Sequence, residues 1–383
     1  MQPPPDRLLF ARAWVAAEDA HGRTYGPKIV EAPPSEWRSM MASDPAFRSY
    51  GTLAYLIEFA HEALEDQPSV ARELMTAVLE FVDDVTVPAE TFGVWLRGQA
   101  WKEYANVLQV TGDLRRALTA ATHAVALLDT QPTLLDSKAA AQLAMAQVLQ
   151  ELGESDVAIV IARQCADIFR DYGQSEYVGY ARMTEASILF ARKQFREAMA
   201  IFAEQAREAE SSGNRLALAR ALLDTGECAR ELGDIPAARA FYSRALENFQ
   251  GFNVATELPR TRWAYALTLV DDGRPRDAIS QLFMVRAEYL RFGMNTDAAL
   301  SALDVVRIKV ALGEDIAHLA SELVETFAKA GMTQNALEAL AYLRERADAN
   351  RVSEHTLNRL TTYFRELRLR PAALFVRPPE DEG

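Results

Sequence analysis

The sequence predicts an all-α fold built of stacked antiparallel helix pairs. The first observation is a repeat, because six segments share a turn followed by a helix, and their turn positions lie 41, 40, 40, 40 and 40 residues apart. These turn positions are Gly112, Gly153, Lys193, Gly233, Gly273 and Gly313. The second observation is a further series of turns with the same period, about twenty residues later, at Gly173, Gly213, Asn253 and Gly293. The third is that apolar residues between the turns recur at three- and four-residue steps, without strand-like alternation anywhere.

The unit around residue 226 illustrates how each pair is expected to form. Its first helix carries small and apolar residues on one face, namely Ala219, Leu222, Leu223, Gly226 and Ala229. Asp234 follows the turn as the expected N-cap, and Pro236 falls in the first helical turn, where a missing N–H costs nothing. The second helix carries a matching stripe, namely Ala238, Phe241, Tyr242, Ala245 and Phe249. Small residues let the two backbones approach closely, and the aromatic rings fill the space beyond them.

This unit resembles a tetratricopeptide (TPR) repeat. The residues that carry the resemblance are Leu222, Thr225, Gly226, Ala229, Gly233, Ala238, Tyr242 and Ala245. The other units match to varying degrees, and the resemblance covers about residues 50–345. It implies a right-handed superhelical solenoid whose first helices line a concave groove. The forty-residue period exceeds the about 34 residues of the common repeat and resembles the long repeats of bacterial signalling and regulatory proteins.

The ends of the chain are expected to differ from the repeats. In the N-terminal part, a short helix over 7–20 should be followed by an irregular Pro-rich linker over 24–37. Near the other end, Ser353 has the character of an N-cap before the last helix. The predicted parts are an N-terminal helix and linker (1–48), a divergent helix pair (49–97), the repeats (98–336), C-terminal capping helices (337–377) and a disordered tail (378–383).

Composition narrows the classes of function. The chain has 383 residues, 49% of them hydrophobic and 25% charged, which is typical of a folded domain outside the membrane. No segment has the ~20 apolar residues of a bilayer span, and the N-terminus does not resemble a signal peptide. Two cysteines are too few for the disulfide bonds that stabilise a disulfide-rich secreted protein. These features favour the cytoplasm and no membrane partner.

The charge distribution argues against a nucleic-acid partner, with one local exception. A formal net charge of −13 disfavours phosphate backbones, which need a positive face. Between residues 344 and 377, however, eight arginines stand against four acids. This basic stretch is either a solvated terminal helix or a docking surface for an acidic partner or nucleic acid.

A search for catalytic or metal-binding motifs finds none, so the chain is predicted not to be an enzyme and to need no cofactor or metal. The five histidines are dispersed, and the pair His61-Glu62 lacks the second histidine of a zinc-protease helix. Cys165 and Cys228 lie 63 residues apart and are expected to be small buried side chains. Phosphate-binding glycine loops and nucleophile elbows are also missing.

The remaining candidate site is the groove. Aligning the units predicts which side chains of the first helices face it, namely Lys102, Asn106, Gln147, Tyr180, Arg220, Asp224, Glu227, Arg260, Trp263 and Arg307. Tyr180, Arg220 and Arg260 are forty residues apart and should form a ladder along one rim. Lys102 and Asn106 resemble half of the carboxylate clamp of chaperone-binding TPR domains, but the basic residues of the other half are missing. Trp263 could face the groove or pack between repeats.

Three hypotheses for function follow. The first is a non-catalytic scaffold in bacterial regulation whose groove binds a peptide or a helix of a protein partner. The alternative is a regulatory sensor whose solenoid binds a small molecule or a signalling peptide. The third is an enzyme with an unrecognised site. The oligomeric state stays open.

Overall fold

The computed structural model describes residues 5–64, 67–252, 254, 256–369 and 373–378, and these residues contain helices but no strand. The predicted all-α fold is therefore confirmed. The chain divides into two compact units, residues 1–193 and 194–383, and each is described by itself. None of the described helices has both the length and the apolar content that crossing a bilayer requires.

The first unit contains nine described α-helices. They are α1 (Pro5–Val30), α2 (Pro34–Ser43), α3 (Tyr50–Ala63), α4 (Pro68–Phe81), α5 (Glu90–Val110), α6 (Leu114–Asp129), α7 (Leu135–Glu151), α8 (Ser155–Asp171) and α9 (Ser175–Ala191). Short 3₁₀ helices lie at Pro45–Arg48, Val82–Asp84 and Pro132–Leu134. From α3 to α9 each helix packs against its successor, which is the arrangement of stacked antiparallel pairs.

The second unit also contains nine described α-helices. They are α10 (Phe195–Ser212), α11 (Arg215–Glu231), α12 (Ile235–Phe249), α13 (Glu257–Asp271), α14 (Pro275–Arg291), α15 (Asn295–Ala311), α16 (Ala317–Lys329), α17 (Gln334–Asp348) and α18 (Glu354–Leu369). Successive packing holds from α10 to α15, whereas α18 packs back against α15. In both units the first helices of the predicted repeats are α5, α7, α9, α11, α13 and α15.

The turns confirm the forty-residue period. Five of the six predicted turn positions are glycines with a φ between 69° and 89°, and the sixth, Lys193, has a φ of 60°. At one of them the Gly233 N–H donates to the Arg230 carbonyl over 3.0 Å and the Asp234 N–H donates to the Ala229 carbonyl over 2.9 Å. These bonds satisfy the last carbonyls of α11, which explains why glycine recurs there.

The second series of turns is confirmed at three positions. Gly173, Gly213 and Gly293 all have a positive φ, between 69° and 73°. The fourth predicted position, Asn253, lies outside the described residues. Near it the left-handed residue is Gly251, with a φ of 90°, just after α12 ends.

Lys193 should be the strained member of the turn series, because a side chain at positive φ costs about 1 kcal/mol or more that glycine avoids. We expect Lys193→Gly to raise the free energy of unfolding by about 0.5–1 kcal/mol, after allowance for the greater freedom of glycine in the unfolded chain. Urea denaturation measures this change. The reverse substitution, Gly153→Lys, should lower stability by a similar amount, and a loss of stability in Lys193→Gly would contradict the expectation.

Packing within one repeat agrees with the predicted stripes. Ala238, Tyr242, Ala245 and Phe249 are completely buried on α12, and Phe241 is partly buried beside them. A methyl group added at Gly226 on α11 would lie 2.7 Å from the Tyr242 ring. Only glycine therefore allows the ring to lie against the α11 backbone. Asp234 is the N-cap of α12, since its carboxylate accepts from the Ala237 N–H over 3.1 Å.

The prediction of a short N-terminal helix followed by an irregular Pro-rich linker is wrong. α1 runs through Pro27 to Val30, and α2 begins at Pro34. α1 packs along α3 and completely buries Ile29, while α2 buries Trp37 and Met41. Tertiary packing outweighs the backbone N–H missing at Pro27, and proline at the first position of α2 is a normal helix start.

The predicted C-terminal helices are confirmed. α17 and α18 cover the two segments, and Ser353 Oγ accepts from the Thr356 N–H over 3.2 Å, as an N-cap does. Residues 373–378 form neither helix nor strand and pack over these two helices. Of the predicted tail, 379–383 lies outside the described residues, and the division of the chain into five parts stays a prediction.

Candidate functional site

In the second unit, four of the predicted groove residues meet in one ionic network on α11 and α13. The Arg220 Nε donates to Glu257 Oε1 over 2.8 Å. Arg260 bonds Glu227 over 3.1 Å and lies 3.6 Å from Asp224. Arg220 and Arg260 occupy equivalent positions of successive repeats. They cross in opposite directions, Arg220 from α11 to a carboxylate of α13 and Arg260 from α13 to a carboxylate of α11. Sequence reasoning missed Glu257, the third acid of this network.

Burial disfavours the charged form of the Asp224 carboxyl in this network. The pKa of this carboxyl is raised from 3.8 to about 6. Removal from water is the largest cause, Glu227 and Glu257 add to the rise, and Arg260 and Arg220 oppose it. About a quarter of the side chain is still exposed. A ligand on this face would therefore meet a carboxyl that changes charge near neutral pH.

This raised pKa has a consequence for stability. The folded state binds the Asp224 proton more tightly than the unfolded state, so the stabilisation is complete below about pH 4 and is lost as the pH rises through about 6. We expect Asp224→Asn to be more stable than the wild type at pH 7.5, with a smaller difference at pH 5 and none below about pH 4. Urea denaturation at both pH values tests this. A difference that does not change with pH would contradict the assignment.

Trp263 lies partly buried on α13. Its indole Nε1 donates to Asp304 Oδ2 over 2.8 Å, and its ring meets Tyr289 edge-on at 6.1 Å between centroids. Burial raises the pKa of Asp304, while the bond from Trp263 and the charge of Arg307 lower it. The Trp263 ring therefore packs against the core, as one of the two alternatives predicted, and its polar edge is tied to the next first helix. That it faces the groove stays a prediction.

Arg307 is occupied by the C-terminal helix. Its guanidinium bonds Asp304 Oδ1 over 3.0 Å on α15 and reaches α18 at Glu354 over 3.1 Å and at Asn358 over 3.1 Å. At the other end of the contact between α15 and α18, Arg368 of α18 bonds the buried Asp297 of α15 over 3.2 Å. Because α18 covers the side of α15 that carries Arg307, the side of the first helices that carries the predicted groove residues is more open on α11 and α13 than on α15.

In the first unit, Lys102 and Asn106 surround a carboxylate that sequence reasoning missed. Glu103 is buried on α5, and its Oε2 accepts from Asn106 Nδ2 over 3.0 Å and lies 3.9 Å from Lys102 Nζ. Its Oε1 lies 3.1 Å from His61 Nδ1 on α3. The two residues that resemble half of a carboxylate clamp thus hold a carboxylate of the chain itself. This arrangement disfavours capture of a ligand's terminal carboxylate there.

The repeat register could have revealed the missed acids. Glu103 lies 121 residues before Asp224, which is the sum of the intervening spacings, and Asp304 lies 80 residues after it. All three acids therefore occupy the same position of a first helix. Aligning the acids by this register would have placed Glu103 and Asp304 on the same face as Asp224.

The other predicted residues of the first unit lie on α7 and α9. Gln147 Nε2 donates to Thr184 Oγ1 over 3.3 Å, which ties α7 to α9. Tyr180 is 57% exposed at the start of α9, together with exposed Tyr172 and Tyr177. The ladder predicted to join Tyr180 with the arginines of the second unit stays a prediction, as does the groove-facing role of all ten residues.

The described residues offer no group of three or more His, Cys, Asp or Glu side chains that could hold a metal ion. Cys165 and Cys228 are buried, as expected, and burial raises the pKa of each thiol to about 12. That the chain is not an enzyme stays a prediction.

Comparison with known proteins identifies the fold. No family model matches the sequence, and no curated protein matches it. Among solved structures, a Rap protein complexed with competence and sporulation factor is similar over 93% of this chain and 99% of its own, with a TM-score of 0.58 and 13% identity. The chain has a TPR-like helical-repeat fold. The predicted resemblance is thus confirmed at the level of fold.

Two further solved structures share this TPR-like fold. The quorum sensor NprR, in complex with its cognate peptide NprX, matches over 94% of this chain and 99% of its own, with a TM-score of 0.54 and 13% identity. The apo form of NprR from B. thuringiensis has also been solved. A signal transduction ATPase with a tetratricopeptide repeat sensor, from Pyrococcus horikoshii, matches over 92% of this chain but 50% of its own, with a TM-score of 0.57 and 13% identity. Identities this low establish similarity of fold alone.

Proposed function

We propose that the chain is a non-catalytic regulatory scaffold that binds a peptide or a partner helix on the face formed by its first helices. The observation that carries the proposal is the network on α11 and α13. Arg220 and Arg260, at repeat-equivalent positions, lie together there with Asp224 and Glu227, and all four side chains stay partly exposed. Paired charges on a rigid helical face can exchange their partners for the charged and amide groups of a peptide with little reorganisation.

The known structures support a peptide as the ligand. NprR was solved with its cognate peptide NprX, and the Rap protein with competence and sporulation factor. Both likenesses extend over more than nine-tenths of this chain. Because a shared fold does not carry a shared ligand, the peptide must be tested on this chain's own residues.

The alternative is a regulatory sensor for a small molecule. It is favoured by Asp224, whose carboxyl has a pKa of about 6 between two arginines and two further acids. Such a mixed site can accept a compact ligand that carries both charges. A scaffold and a sensor differ in what occupies the face of the purified protein.

The experiment compares three proteins in capture from the lysate of the source organism. The groove variant is Arg220→Gln/Arg260→Gln, which removes two ion-paired arginines from the first helices. The matched control is Arg239→Gln/Arg244→Gln, which removes two ion-paired arginines from the second helix α12. Native mass spectrometry of the wild type reports any ligand that copurifies. Circular dichroism establishes that all three proteins are folded.

We expect a peptide or protein that the wild type and the control capture and that the groove variant loses. A copurifying small molecule that only the groove variant loses would favour the sensor. Equal capture by all three proteins would place the binding site away from α11 and α13 and overturn the proposal.

A further inference from the structure

The basic stretch near the C-terminus is not neutralised within the described part of the chain. Of its four acids, Glu345 pairs with Arg377 over 2.8 Å and Glu354 pairs with Arg307 over 3.1 Å. Arg368 bonds Asp297. Within the described residues, five arginines of this stretch form no ion pair, namely Arg344, Arg346, Arg351, Arg359 and Arg365. The structure thus leaves a local positive charge on a chain whose net charge is −13.

The segment 373–378 lies over this basic region and is held in place by ring contacts, hydrogen bonds and an ion pair. The Phe375 ring packs 5.8 Å from the Tyr342 ring of α17 and 5.2 Å from the Tyr363 ring of α18. The Arg359 Nη2 donates to the Val376 carbonyl over 2.8 Å. Arg377 adds an ion pair with Glu345. The segment is therefore part of the folded unit.

This anchoring turns two apolar side chains outward. Phe375 packs inward on the two rings, whereas its neighbours Leu374 and Val376 face solvent. Their exposed fractions, 72% and 68%, are the highest of any large hydrophobic side chain among the described residues. Apolar side chains held in water and bordered by charge are typical of an interaction site.

Two arginines lie on the helix faces that meet this segment. Arg359 contacts Val376 directly, and Arg346 lies one turn after Tyr342 on the face of α17 that meets the segment. Each uses an N–H donor on a backbone carbonyl, which holds the guanidinium in place while further donors stay available. We call Arg346, Arg359, Leu374 and Val376 the C-terminal surface.

We propose that the C-terminal surface binds an acidic segment of another protein that also carries apolar side chains. Guanidinium groups recognise carboxylates through paired N–H bonds, and Leu374 with Val376 would be covered by the apolar side chains of the partner. Nucleic acid fits less well, because its interfaces are polar and need many phosphate contacts, and the net charge of the chain repels it.

The test is fluorescence anisotropy with labelled synthetic peptides and the full chain. One peptide has sixteen residues, with Asp and Glu interspersed with Leu and Phe, and a second has serine in place of every apolar residue. We expect the first peptide to bind and the second to bind at least about tenfold more weakly, equivalent to about 1.4 kcal/mol. Added salt should weaken binding of the first peptide, since part of the attraction is electrostatic.

Variants locate the binding. Leu374→Ser/Val376→Ser and Arg346→Gln/Arg359→Gln should each weaken binding of the first peptide at least about tenfold. The matched controls should bind like the wild type. They are Val157→Ser/Val160→Ser, which changes two exposed valines of α8, and Arg239→Gln/Arg244→Gln on α12. The groove variant Arg220→Gln/Arg260→Gln should also bind normally, so this test is independent of the proposed function.

Several outcomes would overturn the proposal. Equal binding of the serine peptide would reduce the interaction to charge alone, and tighter binding of a DNA duplex would assign the surface to nucleic acid. Unchanged binding by the C-terminal variants, or no binding by the wild type, would remove the surface as a site. A wild-type dimer in light scattering that Leu374→Ser/Val376→Ser dissolves would make a second copy the partner instead.

Discussion

Ala238→Glu is expected to lower the free energy of unfolding by about 3 kcal/mol or more, since it places an unpaired charge in a close-packed interface. Ala238 is completely buried where α12 packs on α11, in a cluster with Tyr242 and Ala245. A glutamate there must either lose its hydration or separate the two helices. Either outcome costs stability, because α11 and α12 are held together by the packing around Ala238.

The matched control lies two residues further along the same helix. Ala240 is exposed, so Ala240→Glu should change stability by no more than about 0.5 kcal/mol. Urea unfolding followed by circular dichroism compares both variants with the wild type. If Ala238→Glu proves as stable as Ala240→Glu, the assignment of the buried stripe on α12 is wrong.

The repeat could be predicted from the sequence because each turn between its helices imposes a local requirement on the backbone. A helix that ends in a left-handed residue needs glycine there, and Gly112, Gly153 and Gly233 all have this conformation. Even the exception was predictable, since Lys193 keeps the register and adopts a φ of 60°. Helical periodicity and turns together therefore defined the helix pairs before any contact was known.

The ends of the chain could not be predicted in the same way. Pro27 reads as a helix breaker, yet α1 continues through it because burial of Ile29 and packing on α3 outweigh the missing hydrogen bond. The contact of α18 with α15 joins Arg307 to Glu354, 47 residues away, and follows no repeat period. Such long-range packing leaves no periodic trace in the sequence.

The candidate site was predicted as a set of positions but not as a network. The repeat register pointed to Arg220 and Arg260, whose ion pairs both join α11 and α13, but it did not point to Glu257, which pairs with Arg220. Whether a carboxylate meets an arginine depends on the spacing of adjacent helices, which a sequence pattern does not report. Glu103 was missed for the same reason, because a glutamate is ordinarily expected in solvent and not buried.

Gly51→Ala is expected to destabilise the first unit by about 3 kcal/mol, because α1 and α3 touch through their backbones at this residue. A methyl group at Gly51 would lie 1.8 Å from the Glu18 carbonyl oxygen, and one at Gly22 would lie 2.2 Å from the Gly51 carbonyl oxygen. The Gly51 N–H also donates to Glu18 Oε2 over 2.8 Å. The obstacle is backbone on both sides, so no side chain can rotate away to make room.

Gly93→Ala is the matched control, a second glycine-to-alanine change within a helix of the same unit. A methyl group at Gly93 would lie 3.4 Å from its nearest neighbours, on the side chains of Arg97 and Val87, at the edge of ordinary contact. Since alanine favours a helix by about 1 kcal/mol over glycine, Gly93→Ala should be neutral or stabilising.

Hydrogen exchange along α1 distinguishes the two variants. In Gly51→Ala the amides of α1 should lose protection, because α1 can no longer rest on α3, while α5 and α6 should keep theirs. Protection of α1 equal to the wild type would mean that the helices do not cross at this glycine pair, and the N-terminal helix would then need another anchor.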